Sequence, residues 1–220
     1  MDKRSGPAPR WTPVFERISD EKRKRVLETA KAAFARYGFA GTNVNRVAET
    51  AGISVGALYK YFRTKEDLFL AIIEESHAFL EETLHSILAS EPDFFRRIEA
   101  ILRVAVRSAQ DDPDLIRLYV ACTTEELAPL ADQLSGRIES VSAELYSRMV
   151  AEASAAGQIR RDVDPAVTAW LLDDIFLSVQ FSYASTYYRD RLRVFADGAD
   201  DPDTIVSSAL DFIRRALLPR

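Results

Sequence analysis

Gly52 is the residue that most constrains how this chain can fold. It follows Val44, Val47, Ala48 and Ala51, whose spacing gives one apolar face at helical period. A glycine placed where that helix must stop takes a left-handed conformation without steric penalty. Ile53 follows as a buried plug, and Ser54 stands where it can cap a second helix by accepting a backbone N–H bond. Val55, Leu58 and either Tyr61 or Phe62 supply the inner face of that second helix. Small Ala48 and Ala51 allow the two helices to cross closely. Two short helices joined by a glycine turn form the supersecondary unit that sets its second helix in the major groove of DNA.

Charge agrees with this reading. The 220 residues carry a formal net charge of −5, but residues 22–65 hold ten Lys or Arg against Glu28 and Glu49. That window sums to +8 and leaves −13 on the remainder. A basic segment on an acidic body fits a DNA reader joined to a domain with another task. A solvated helix face is the plainer alternative. Length and a 47% hydrophobic content admit one large or two small domains with a proper core. The single Cys122 forms no internal disulfide, and a reducing, cytoplasmic compartment is expected. No apolar run approaches the roughly 18 residues that span a bilayer, so no membrane partner is expected. Residues 1–18 lack the apolar stretch of a secretory signal and read as a flexible arm, with Lys3, Arg4 and Arg10 as solvated charge.

The pattern is helical throughout, and an all-α fold of about nine helices is expected. Ser19 caps a first helix that Gly38 ends, with Val26, Leu27, Ala30, Ala33, Phe34 and Tyr37 inside. Short helices near 43–50 and 54–61 follow, and Thr64 opens a long one. Pro92, Asp112-Pro113, Pro129 and Asp164-Pro165 start four more, the last running to Tyr188. An acidic loop at 196–203 precedes a final helix at 203–218.

The stretch VLETAKAAFARYGFAGTNVNRVAETAGISVGALYKYFRTKEDL, with GALYKYF and TKEDL its most typical elements, resembles the TetR family of bacterial transcriptional regulators. The later GQIRRDVDP at 157–165 is similar to that family's link between two regulatory helices. The resemblance implies an all-α homodimer. A three-helix DNA-binding domain at 19–64 would precede an effector-binding and dimerisation domain at 65–220. It also implies that a small-molecule effector releases the double-stranded operator, with repression as the default. Thr42 and Asn43 begin the second helix, where free N–H groups favour a phosphate. Lys65 resembles the family's phosphate-gripping lysine, and Tyr59, Lys60 and Tyr61 its groove-facing positions. Asn45, Ser54, Val55, Gly56 and Ala57 match its base-reading slots. Asn45 suits adenine, while Val55 and Ala57 offer only apolar contact, as to a thymine methyl. Gly56 reads equally as a site of close backbone approach or as a packing glycine. One of Tyr59 and Tyr61 is expected in the core.

Residues 165–188 are apolar nearly all round, which calls for burial on two sides. A twin subunit supplies the second side, with Trp170, Leu177, Phe181, Ala184, Ile205, Leu210 and Ile213 as the expected dimer interface. A central helix of a monomeric bundle is the alternative. Asp173, Phe176, Gln180 and Tyr183 on this helix are candidate pocket residues, although Asp173 beside Asp174 reads first as surface charge or as the partner of an Arg. So are Tyr119, Cys122, Thr123, Tyr146 and Met149 on neighbouring helices. Together they describe a partly aromatic, mostly apolar site for a hydrophobic or amphipathic effector.

Two rival readings are weaker. Residues 52–56 match the G-x-S-x-G elbow of serine hydrolases, but that motif needs a preceding strand, and here a helix precedes it. His77 and His85 lie eight residues apart on one helix, about 12 Å, too far for one metal ion. No enzymatic activity, cofactor or metal is expected. A helical interaction protein without DNA function would leave the +8 window and the capping pattern unexplained.

Overall fold

The computed structural model describes residues 10–122, 124, 127–198 and 200–219. Eleven helices and no strand are found among them: α1 Pro13–Glu16, α2 Asp20–Gly41, α3 Val44–Thr50, α4 Val55–Tyr61, α5 Lys65–Ser90, α6 Phe94–Asp111, α7 Pro113–Cys122, α8 Ala128–Ala155, α9 Pro165–Ala184, α10 Thr186–Phe195 and α11 Pro202–Leu217. None of the described helices is long and apolar enough to cross a membrane. The fold is all-α as expected, with two helices beyond the nine.

Local chemistry sets most boundaries. Ser19, Asn43, Ser54, Thr64, Asp93, Asp164 and Asp201 each accept a backbone N–H at a helix start. Each such cap contributes about 1 kcal/mol. At the end of α3, Gly52 (φ 68°) donates to the Glu49 carbonyl and Ile53 to the Ala48 carbonyl, both at 3.0 Å. This paired C-terminal motif turns the chain sharply. Gly38 (φ 71°) interrupts α2 but does not end it, and one further turn reaches Gly41.

The two additional helices correct the sequence reading at particular residues. Residues 10–18 are not a loose arm. Phe15 of α1 is 2% exposed and packs on Phe62 (4.7 Å between ring centroids) and Tyr61 (5.4 Å). The Thr12 backbone N–H donates to the Tyr61 carbonyl at 2.9 Å, and its hydroxyl to the Lys60 carbonyl. The helix expected to run from 165 to 188 instead stops at Ser185, whose extended backbone (φ −103°, ψ 133°) turns the chain into α10.

Two cores result. The N-terminal core holds Phe15, Val26, Phe34, Val47, Leu58 and Phe62. It runs past the expected boundary at residue 64, drawing Leu68, Phe69 and Ile72 from α5 and Leu118 from α7. The second core surrounds α9, which packs against α6, α7, α8 and α10. The segment 157–163 ties this core together. Gln158 Oε1 accepts from Phe94 N–H at 2.8 Å, Ile159 is 1% exposed, and Arg160 N–H donates to the Leu217 carbonyl at 2.8 Å.

The expected dimer face also needs correction. Trp170, Leu177, Phe181 and Ala184 share one side of α9 by helical spacing, but α7 and α10 fold over its C-terminal half. Phe181 and Ala184 are therefore buried within the subunit. Ile213 is 2% exposed, while Ile205 and Leu210 are half-buried against the second core. The large apolar side chains left exposed on α9 and α11 are Val167, Trp170, Leu171 and Phe212. Phe212 stands off the Ile205–Ala209–Ile213 stripe, which was the available signal for an outward role.

The brace formed by α1 yields a stability test. Phe15→Ala should lower the unfolding free energy by about 3–5 kcal/mol, read from urea denaturation. A loss under about 1 kcal/mol would return residues 10–18 to a loose arm.

Candidate functional site

The α3–turn–α4 unit presents two unlike sides. Inward, Val47, Ala48, Ala51, Leu58 and Tyr61 are buried, and Arg25 Nε holds the turn by donating to the Ala51 carbonyl at 3.0 Å. Outward, Asn45, Arg46, Ser54, Val55, Gly56, Tyr59 and Lys60 are exposed. The described residues include no ion-pair partner for Arg46, Lys60 or Arg63, so these charges are available to an anionic surface. A Cβ built at Gly56 meets nothing within 4 Å, so packing does not demand glycine there.

Several expected contacts have other duties. Tyr61 is 5% exposed, so it is the core member of the tyrosine pair, and Tyr59 at 50% exposed is the outer one. Thr42 is buried, with its hydroxyl donating to the Gly38 carbonyl at 2.6 Å, and it anchors the end of α2 rather than reaching outward. Asn43 Oδ1 accepts from the N–H groups of Asn45 and Arg46, so the amides expected to be free for a phosphate are largely taken. Ala57 is half-buried against the N-terminal core. Lys65 Nζ donates to the Ala40 carbonyl at 3.1 Å and lies 4.8 Å from the Phe39 ring centroid, which fixes it beside the start of α3. Tyr37, expected inside the first helix, is instead 52% exposed at the end of that helix's inner stripe, and Arg46, also outward, was visible only as one charge of the basic window. Ser54 Oγ accepts from Ala57 N–H at 3.1 Å, so the G-x-S-x-G match is a helix cap preceded by a helix.

Behind this unit lies a cavity of about 820 Å³, with walls from α2, α5, α6, α7, α8 and α9. Leu80, Leu84, Ile101 and Val104 make much of it apolar, and Phe79, 72% exposed, stands at its mouth. Five expected pocket residues line it: Tyr119, Tyr146, Asp173, Phe176 and Gln180. Leu177, expected at the dimer face, lines it too. Met149 is buried in the second core instead. Tyr183 donates its hydroxyl to the Asp200 carbonyl at 3.0 Å, away from the cavity. Burial, then Asp200 and Asp201, pushes that phenol up to about 12. Cys122 packs against the N-terminal core, and burial raises its thiol to about 11. Thr123 lies outside the described residues. Glu139 and Ser142 of α8 were missed, although they stand seven and four residues before Tyr146, on the same helical face.

The electrostatics at the α9 end are unusual. The Tyr119 hydroxyl donates to Glu139 Oε1, and burial followed by that carboxylate raises the Tyr119 phenol. Burial, then Asp173, raises Tyr146. Asp173 has no hydrogen bond or ion pair among the described residues. Burial first, then Glu139 and Asp174, push its carboxyl up to about 6. At the opposite end, Lys31 of α2 is 7% exposed and bonds Glu28 at 2.7 Å and Asp112 at 2.5 Å. Burial works against the Lys31 charge, but the two carboxylates outweigh it and the ammonium is held above its ordinary value. Asp112 also accepts the Leu115 N–H at the start of α7, so one side chain joins α2 to α7. Among the described residues, no group of three or more His, Cys, Asp or Glu is placed to hold a metal ion.

Comparison with known proteins places these features in a wider setting. Residues 26–72 match the model for bacterial regulatory proteins of the tetR family. The HTH-type transcriptional regulator RutR of Escherichia coli O157:H7 is 30% identical over 127 residues, 57% of this chain and 58% of RutR. The HTH-type transcriptional repressor AcnR of Corynebacterium diphtheriae is 41% identical over 63 residues, 29% of this chain and 33% of AcnR. The chain thus spans less than two thirds of these relatives' lengths. Likeness in fold reaches further. A TetR family transcriptional regulator from Chloroflexus aurantiacus superposes with a TM-score of 0.66 at 23% identity, covering 96% of this chain and 99% of that one. FadR of Bacillus subtilis, in complex with stearoyl-CoA, gives 0.69 at 16% identity, covering 86% and 96%.

The raised Asp173 carboxyl gives a signed prediction. Folding raises its pKa, so the folded state holds the proton more tightly, and ionisation above about pH 6 costs stability on the order of 2 kcal/mol. Asp173→Asn should therefore melt several degrees above the parent at about pH 8, and the gap should close as pH falls to about 4. An Asn variant less stable than the parent at both pH values would contradict an unpaired, half-buried carboxylate.

Proposed function

Because the chain belongs to the TetR family of bacterial transcriptional regulators, we propose that it is a ligand-released repressor acting as a homodimer on a two-fold operator. One observation carries the DNA half of this reading. The second helix of the turn unit is locked from behind by Leu58, Tyr61 and Thr12, while its outer face, from Ser54 to Lys60, is left bare. A rigid, outward helix flanked by unpaired basic side chains suits a negatively charged groove. Arg46, Lys60 and Arg63 serve as phosphate contacts. Asn45 reads a base edge, and Val55 and Gly56 allow close apolar approach.

The open patch of Val167, Trp170, Leu171 and Phe212 supports the homodimer. It draws on α9 and α11, and a two-fold axis would bring each exposed face against its copy. A second copy also places two reading helices on two half-sites, which a unit with so few base-edge donors requires.

The cavity supports the effector. It touches α2 of the reader and α9 of the body, and Lys31 with Asp112 forms a link between them. A molecule filling it would press on α2 and α7 together, shifting the reader relative to the body. The similarly folded FadR of Bacillus subtilis, solved with stearoyl-CoA, makes an amphipathic effector a fitting class.

Anisotropy titration against DNA flanking the protein's own gene tests the reading. Lys60→Ala should weaken binding to all sequences alike and flatten the log K against log salt slope by about one unit per half-site. No retention of that DNA by the parent, or an unchanged slope, would overturn the interface. Trp170→Asp with Phe212→Asp should give a folded monomer by light scattering, with operator affinity lost. A dimer that persists would move the interface elsewhere.

A further inference from the structure

We propose that the cavity takes an amphipathic organic cation, an apolar body with an ammonium or amidinium head, and that Asp173 is its counter-ion. This rests on the effector reading above and narrows it to one chemical class.

The first ground is the isolation of Asp173. Its side chain faces the cavity with no hydrogen bond and no cation among the described residues. Charges drawn even partly out of water are ordinarily paired, so this half-buried, cavity-facing carboxylate is an incomplete pair. A cationic head completes it. A neutral hydrophobe would strip the remaining water and leave the carboxylate alone, and an anion would add repulsion.

The second ground is what surrounds Asp173. Tyr119, Tyr146 and Phe176 line the same end, and the Tyr146 and Phe176 rings stand edge-to-face at 5.5 Å and 70°. Aromatic faces attract a cation through their quadrupole, and they tolerate the weakly hydrated surface of an alkylated ammonium. Glu139 lies on the adjoining wall and adds negative potential while accepting the Tyr119 hydroxyl.

The third ground is the balance of the whole lining. Among the described residues it carries eight carboxylates against three Lys or Arg. Two of those three are already neutralised: Arg23 pairs with Asp20, and Lys31 with Glu28 and Asp112. Among the described residues no cation is paired with Asp173 or Glu139 to receive an acidic head. An acyl thioester or a fatty acid therefore fits the apolar walls but not the polar end.

Three probes with one tail separate the classes: decyltrimethylammonium, decanol and decanoate, titrated calorimetrically below their micelle concentrations into the full chain. The cation should bind at least roughly tenfold tighter than decanol, with decanoate weakest. Asp173→Asn makes no hydrogen bond worse and should stay folded by circular dichroism, with the cation's lead reduced to about twofold. Glu139→Gln keeps an acceptor for Tyr119 and should cost the cation less than Asp173→Asn does. Decanol or decanoate binding as tightly as the cation, or unchanged cation affinity in Asp173→Asn, would overturn the cationic class while leaving an amphipathic effector in place. No binding by any probe would overturn both the class and the effector reading.

Discussion

A helix-turn-helix of roughly forty residues cannot close a core of its own. Here the deficit is met by α5 and α7, which lend Leu68, Phe69, Ile72 and Leu118 to the reading unit. The reader is thus not a bead on a string. Its inner wall is the first part of the body, and α1 closes the other side by seating Phe15 against Tyr61 and Phe62. Because interiors are close-packed, a shift of α5 or α7 cannot be absorbed locally and must move the helices resting on them. Coupling between body and reader is therefore a consequence of core size.

The cavity occupies that junction, and its two ends differ in charge pairing. At the α2 end, Lys31 is fully engaged by Glu28 and Asp112, and Asp112 in turn caps α7. At the α9 end, Asp173 has no hydrogen bond or ion pair among the described residues. One end is a completed ion pair holding two elements together, and the other is a charge awaiting a partner. A molecule anchored at Asp173 and long enough to reach Lys31 would contact a side chain that, beside the shared core, ties α2 to α7. Anchoring and leverage then belong to different ends of one ligand, which is what an amphipathic shape provides.

The turn at Gly52 and most helix starts were legible in the sequence because they are local. A Ser, Asn or Asp three residues ahead of its bonded amide, or a glycine forced to positive φ, is decided within five residues. What was not legible depended on non-local cover. Tyr59 and Tyr61 look alike in sequence, and only Phe15 and Thr12, some forty-five residues earlier, settle which is inside. Phe181 and Ala184 sit on the same helical side as Trp170, yet α10 folds back over them because Ser185 breaks the helix. Thr42 was misread for a related reason. Its polar side chain satisfies carbonyls freed by the break at Gly38, a demand created by the bend and not by any neighbour in the helix pattern. Tyr119, Tyr146, Asp173, Phe176 and Gln180 were recoverable because polar groups among aromatics at helical spacing stand out on a buried face.

The charge split between the two parts now has a second meaning. The segment 22–65 is +8 and the remainder −13. Over distances beyond a Debye length of about 8–10 Å such fields fade, but near the surface they sort approaching molecules. DNA is drawn to the exposed reading face and repelled by the body. An organic cation is drawn to the body and to the acid-rich cavity, and repelled by the reader. The operator and a cationic effector would therefore never compete for the same surface charge. Any antagonism between them has to pass through the packed junction of α2, α5 and α7, where Lys31 and the shared core connect the two parts.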